Sequence, residues 1–198
     1  MHTILSLLLV FIQLSSCFQE NFAYDQDVVY QTQIHTITKT EYLPYTASAT
    51  PVVQPKNSFI KEHNHYRSKH GAKKLLWSES LHEHCKAFIE DEFTCDGNLH
   101  HSQEAEDGDI GEIVTIGYSS VEEFMKSVYA TKNSFDFDSY ADINENEAKY
   151  FKQLIWNDAQ LFGCAMVDCG DYFSNLIVCQ YDKKPDNKTI KENVFPEI

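Results

Sequence analysis

At 198 residues, with 42% hydrophobic and 13% aromatic side chains, the chain has the composition of one globular domain with large rings to spare for a core or an apolar surface. Its 30 acidic against 16 basic residues leave a formal charge of −14, which excludes nucleic acid and anionic headgroups as the main partner because both would be repelled. Neutral and apolar ligands stay open.

Residues Ile4 to Ile12 form an apolar run that ends in the small, polar Ser15 and Ser16. It is too short to span a bilayer as a helix, which takes about 20 residues, and it has the length and flank of a secretory signal. The expected plan is a signal segment over 1–17, a Thr/Ser/Gln-rich leader over 18–56 and one domain over 57–198. The leader alternates at Thr36 to Thr40 but is broken by Pro44, Pro51 and Pro55 and has no second half to a sheet, so it reads as a weakly structured stalk or pro-segment. Export leaves Cys85, Cys95, Cys164, Cys169 and Cys179 in an oxidising compartment, where most should pair and five cannot. The connectivity is open. Cys85 falls where a helix would bury it, which makes it the candidate odd thiol.

The domain opens with Phe59, Ile60, His63, Tyr66 and Arg67 at helical spacing and Gly71 as a stop, which predicts a helix over about 58–70. Ser78 or Ser80 caps a second helix carrying Leu81, Cys85, Phe88, Ile89 and Glu92. Ser119 and Ser120 each have a Glu three residues on, a capping-box pattern ahead of Val121, Phe124, Met125, Val128 and Tyr129. A fourth helix covers Ala148 to Trp156. Strands are expected over Leu161 to Val167 and Phe173 to Tyr181, joined by a turn at Asp168 to Asp171, with Ile113 to Ile116 as a third. This order implies an α+β domain with helices covering a small antiparallel sheet.

Chemistry is concentrated in His100-His101-Ser102 and Glu112, imidazoles and a carboxylate that could begin a metal site or an acid/base pair. On a strand-like segment His100 and His101 point to opposite sides, so one of them at most serves such a site. Ser102 beside His101 lacks an assignable third group for nucleophilic catalysis. Phosphate-binding glycine loops and a G-x-S-x-G elbow are missing from the sequence. Phe135, Phe137 and Tyr140 sit in an acidic, Ser/Asn-rich stretch, and three rings on a loop can shield an apolar ligand. Asn187-Lys188-Thr189 is a glycosylation sequon, and Lys69, Lys73 and Lys74 read as a solvated face.

The segments His63-Asn64-His65-Tyr66-Arg67-Ser68-Lys69-His70-Gly71 and Leu75-Leu76-Trp77-Ser78, then Cys95-Asp96-Gly97-Asn98-Leu99 with His101-Ser102, and Gly111-Glu112, resemble in order the motifs of the CAP superfamily of cysteine-rich secretory, antigen 5 and pathogenesis-related 1 proteins. Phe151-x-Gln153-x-x-Trp156, Gly163-Cys164-Ala165, Val178-Cys179-x-Tyr181-Asp182 and Asn193-Val194-x-Pro196 continue the resemblance over about 57–196, most like the fungal secreted branch. It implies a three-layer α-β-α sandwich and a secreted protein that binds, and in this branch exports, sterols or fatty acids. It also implies a cleft in which two His and two Glu can hold a divalent metal. His101 and Glu112 match the first His and first Glu, but Ser127 stands where the second Glu belongs and Tyr150 where the second His belongs. Two strong donors become weak ones, so no cofactor is expected, and a metal-dependent hydrolase ranks last. The loop with Phe135 and Phe137 is similar to the branch's sterol-binding motif, except that the third aromatic position is Asp142, leaving Tyr140 as the nearest ring. By the same analogy Cys169 pairs with Cys179 and Cys95 with Cys164. The reading is a secreted, non-enzymatic lipid binder; the rival is a cell-wall or host-surface interaction module with no lipid.

Overall fold

In the computed structural model the described residues are 55–198, so the expected signal segment and all of the expected leader except Pro55 and Lys56 lie outside them. Helix α1 (Lys56–Lys69) starts two residues earlier than its spacing predicts. A short strand β1 (Leu76–Trp77) leads into α2 (Glu79–Glu92), capped by Ser78, whose hydroxyl accepts from the Leu81 N–H at 3.3 Å. After an irregular stretch come α3 (Gln103–Asp107), β2 (Gly111–Tyr118) and α4 (Val121–Ala130). The start of α4 closes as a capping box: Ser120 Oγ accepts from the Glu123 N–H at 3.2 Å, and the Glu123 carboxylate accepts from the Ser119 N–H at 2.9 Å. A hairpin of β3 (Phe135–Asp136) and β4 (Ala141–Asp142) precedes α5 (Glu145–Ile155). The chain ends with β5 (Leu161–Asp168), α6 (Gly170–Phe173), β6 (Asn175–Tyr181) and α7 (Ile190–Asn193).

The main sheet has the order β1-β5-β6-β2, antiparallel except for the short β1–β5 pair. Alternation along its strands builds two cores. Ile113, Phe162, Cys164, Ile177, Cys179 and Tyr181 face α1, α4 and α5, while Val114, Ala165, Leu176 and Val178 face Cys85 and Ile89 of α2. The result is the expected three-layer α-β-α sandwich. The α2 layer lies close to the sheet because Gly163 has no side chain: a Cβ there would sit 2.2 Å from the His82 backbone nitrogen. The space is used by polar contacts, His82 Nδ1 donating to the Cys164 carbonyl at 2.7 Å and the Cys85 thiol to the Gly163 carbonyl at 3.3 Å. Cys85 is the free, buried cysteine expected from its helix position, and burial pushes its thiol pKa up.

Helix α1 buries polar groups as well as rings. Arg67, fully buried, donates to the carbonyls of Lys73 (2.7 Å), Leu154 (2.9 Å), Trp156 (3.0 Å) and Ala159 (3.2 Å). His63 Nδ1 donates to the Phe59 carbonyl, so Nε2 accepts from the Tyr181 hydroxyl, both at 2.8 Å. His70 repeats the arrangement with the Phe195 carbonyl (2.6 Å) and the Tyr129 hydroxyl (3.1 Å), which ties down the C-terminal tail.

The disulfides correct the expected pairing. Cys164 joins Cys179, and Cys95 joins Cys169. In the β5–β6 register Cys164 lies directly opposite Cys179, whereas Asp168 is opposite Asn175. Cys169 is therefore at the far end of the hairpin, five residues or about 16 Å along the strand from the level of Cys179, and meets Cys95 after α2 instead. The expected turn at Asp168 to Asp171 is also replaced, by the helical turn α6.

Two outcomes follow from this packing. Non-reducing peptide mapping should recover Cys95–Cys169 and Cys164–Cys179 linked peptides, and a Cys164→Ala/Cys179→Ala variant should lose about 3 kcal/mol in a urea titration. His63 is held neutral by burial, with its pKa pushed down to about 3 from 6.5. The unfolded chain then takes up a proton below pH 6.5 that the folded chain refuses until about pH 3, so stability falls with pH through that window, by roughly 5 kcal/mol for this group. Urea midpoints from pH 7 to 4 should show a shallower fall for His63→Gln than for wild type.

Candidate functional site

The segment between Cys95 and Ser102 is irregular rather than strand-like. His100 and His101 nevertheless go different ways. His100 stacks on Phe93 with ring centroids 4.7 Å apart, 3.7 Å from the Glu92 carboxylate, and His101 turns to Glu112. Ser102 is buried and its hydroxyl serves as the cap of α3, accepting from the Ala105 N–H.

Glu112 stands at the start of β2, opposite Gln180 of β6 in the strand register. Its carboxylate is fully shielded and accepts three hydrogen bonds: one oxygen accepts from His101 Nδ1 and from the Ser102 N–H, each at 2.9 Å, and the other from Gln180 Nε2 at 2.8 Å. The Gln180 carbonyl in turn accepts from His84 Nδ1 of α2 at 2.8 Å. Burial alone would raise the Glu112 pKa, but the hydrogen bonds from His101, Gln180 and Ser102 outweigh it and hold the carboxylate below its ordinary value. Gly111 makes room for Gln153, whose amide lies 2.1 Å from where a Cβ would be and donates to the Lys183 carbonyl at 2.9 Å. His101, Glu112 and Gln153 border a cleft of about 620 Å³ that also meets Tyr150, Lys152 and Lys184.

The other two cleft positions fall differently. Tyr150 lines this cleft and also a hollow of about 230 Å³ beside it, whereas Ser127 lines only the hollow and bonds the Tyr118 hydroxyl at 2.9 Å. The residues do not fit a divalent metal. Glu112 is shielded and already committed to three donors, Ser127 is a neutral hydroxyl already paired, and His101 is left to offer its remaining ring nitrogen. Among the described residues, the side chains with converging metal-type atoms are His63, Cys164 and Cys179, and there the sulfurs form a disulfide.

The aromatic loop folds as the β3–β4 hairpin and packs inward. Phe135 is 4% exposed and belongs to the main core. Phe137 and Tyr140 are half-buried and meet Phe135 edge-on at 5.1 and 6.2 Å; Phe137 also stacks on His70 at 6.0 Å. Asp142, where the resemblance calls for a ring, forms an ion pair with Lys152 at 2.6 Å, both side chains nearly buried. Next to it Ile143 is 70% exposed. Asn187 is exposed at the rim of the cleft. Gln180, His84, Gln153 and the Asp142–Lys152 pair escaped the sequence reading. Gln180 was reachable only through the register that sets it against Glu112.

The model of the cysteine-rich secretory protein family, CAP, matches residues 60–181. The secreted protein RBT4 of Candida albicans is 31% identical over 124 residues, 62% of this chain and 33% of that protein. Protein PRY2 of Saccharomyces cerevisiae is 31% identical over 126 residues, 63% of this chain and 36% of its own length. The chain thus spans about a third of the length of these curated relatives. Among solved structures, the Schistosoma mansoni venom allergen-like protein 4 aligns with a TM-score of 0.54 at 22% identity, over 66% of this chain and 89% of that one. The hookworm platelet inhibitor aligns at 0.51 and 20%, over 71% and 76%. These two show the fold alone. The ordered motifs, the three-layer sandwich and the family match agree, and the chain belongs to the cysteine-rich secretory protein (CAP) family, with yeast proteins of the fungal branch among its relatives.

Proposed function

We propose that this is a secreted, non-catalytic domain that binds a neutral lipid, a sterol or a fatty acid, at the β3–β4 hairpin. The observation that carries the reading is the set of half-exposed rings Phe137 and Tyr140 beside the exposed Ile143, on a hairpin separate from the main sheet. Such a patch buries much apolar area against a ligand at little rotamer cost. Secretion is supported by two disulfides, which persist in oxidising compartments, and by relatives named as secreted; no helix of the described residues is long and apolar enough to cross a membrane. A non-catalytic role is supported by Glu112, whose carboxylate is committed to three donors, and by Ser102, whose hydroxyl caps α3. The expected glycan at Asn187 would stand on an exposed turn. A second reading, an interaction module without a lipid ligand at a cell wall or host surface, is favoured by one observation: Phe135, the first of the three rings, is spent on the core.

Titration of the full chain with labelled cholesterol and a labelled fatty acid separates the two. The informative variant is Phe137→Ala/Tyr140→Ala, since Phe135→Ala would cost about 3–5 kcal/mol of stability and confuse the result. Saturable binding by wild type, weakened roughly 10-fold or more in the double variant, is expected. Absence of saturable binding in wild type selects the interaction module.

A further inference from the structure

We infer that the cleft beside Glu112 is the seat of this chain's own N-linked glycan, whose first sugars, attached at Asn187, lie along it and close it to other solutes. The attachment point is held in place. Asn187 opens the helical turn Asn187–Thr189 that runs into α7, a turn capped by Asp186, whose carboxylate accepts from the Lys188 N–H at 3.0 Å. Just before it the chain is pinned to two walls of the cleft: Gln153 of α5 donates to the Lys183 carbonyl at 2.9 Å, and Lys184 donates to the Ala105 carbonyl of α3 at 2.6 Å. The sequon therefore stands on an anchored rim. Asn187 is exposed there and lines the cleft, so a sugar on its side chain starts at the cleft's edge.

The walls suit a neutral, hydroxyl-rich occupant. Their carboxylates and amines nearly balance, and several are already committed: Glu112 to its three donors, Lys152 to Asp142 and Lys184 to the Ala105 carbonyl. What remains is a mixed set. Asn146 can donate and accept, Glu106 and Glu145 accept and Lys149 donates, and none of these side chains has a hydrogen-bond partner among the described residues. Sugar hydroxyls and acetamides meet both kinds. Tyr150 adds an aromatic surface for the apolar face of a pyranose ring. At about 620 Å³ the cleft holds roughly 25 heavy atoms, given that a dry cavity of about 150 Å³ takes benzene, which is close to the size of the N-acetylglucosamine pair that begins an N-linked glycan. Individually weak contacts are enough. A tether at the rim makes the docking intramolecular, with an effective concentration in the millimolar range, so the sugars need no affinity that free solution would reveal. The inference rests on the secretion half of the proposed reading, which brings Asn187 to the glycosylating compartment, and it is indifferent to the lipid.

The test uses the full chain expressed in a yeast host and amine acetylation, quantified lysine by lysine by mass spectrometry. Lys149 reports on the cleft, and the exposed Lys188 and Lys191 report on the surface beside the sequon but outside the cleft. Enzymatic removal of N-glycans should lower the intact mass of wild type and leave that of Thr189→Ala, which lacks the sequon, unchanged. In the glycosylated chain Lys149 should be acetylated about 5-fold or more slowly than in Thr189→Ala or in enzymatically deglycosylated wild type, with Lys188 and Lys191 slowed less than about 2-fold. Trimming the glycan to its innermost N-acetylglucosamine should keep part of the Lys149 protection. A chain recovered from the medium without a glycan overturns the inference and leaves secretion standing; a chain that never enters the secretory route overturns both. Equal slowing at Lys188 and Lys149, or loss of all protection on trimming, shows a glycan that shields by bulk alone and overturns the inference as well.

Discussion

The Arg67 guanidinium is the interaction on which the packing of the helices depends. It is a buried cation with no ion-pair partner in contact among the described residues, and four carbonyl oxygens replace its hydration. Burial lowers its pKa to about 10, which leaves it charged at neutral pH. Two of the four acceptors, Leu154 and Trp156, lie at the C-terminal end of α5, where helix carbonyls lack internal partners and the dipole favours a cation. The others, Lys73 and Ala159, belong to the loops after α1 and α5. One planar fork thus fixes two helices and two loops; a lysine could not, because an ammonium has a single point of attachment.

The same helix sets the protonation state of the core. His63 and Arg67 are one turn apart on one stripe of α1, and the cation near His63 adds to the burial that keeps the ring neutral. A neutral His63 with a fixed tautomer can accept from Tyr181, whose hydroxyl pKa burial drives upward. His70, a further turn on, has its pKa lowered chiefly by burial and holds the tail. The His, Arg and His of the opening motif are therefore structural groups, although their residue types also suit catalysis.

Much of the sandwich was legible because its information is local. Helix spacing placed α1, α2, α4 and α5, the capping-box pattern at Ser119 and Ser120 marked the start of α4, and short apolar runs marked β2, β5 and β6. The His101–Glu112 pair was legible from ordered motifs. What escaped depends on register and irregular backbone. The pairing of Cys164 with Cys179 follows from a hairpin whose turn is a short helix, and a tight turn at Asp168 to Asp171 slides the strands past one another and misplaces both disulfides. Glu112 meets Gln180 across β2–β6, 68 residues apart. A bulge at Gly117 reverses the face of Tyr118, and a single glycine in a strand does not announce which neighbour it will redirect.

The hairpin shows how one side chain sets the packing of a loop. With Asp142 in place of a ring, its carboxylate meets Lys152, and both side chains are nearly buried. Such a pair contributes little net stability, since desolvation offsets attraction, but separating the partners leaves a buried charge and is costly. The pair therefore determines geometry: β4 is clamped to α5, and Phe135 opposite Asp142 in the hairpin register is carried into the core. Asp142 keeps one buried oxygen without a partner among the described residues, so the clamp rests on the Lys152 bond to the other. An apolar ligand at this hairpin has to be met by the outer layer, Phe137, Tyr140 and Ile143, with the clamp intact. A ligand that drove between β4 and α5 would have to strand Lys152, and no apolar contact of ordinary size offsets that.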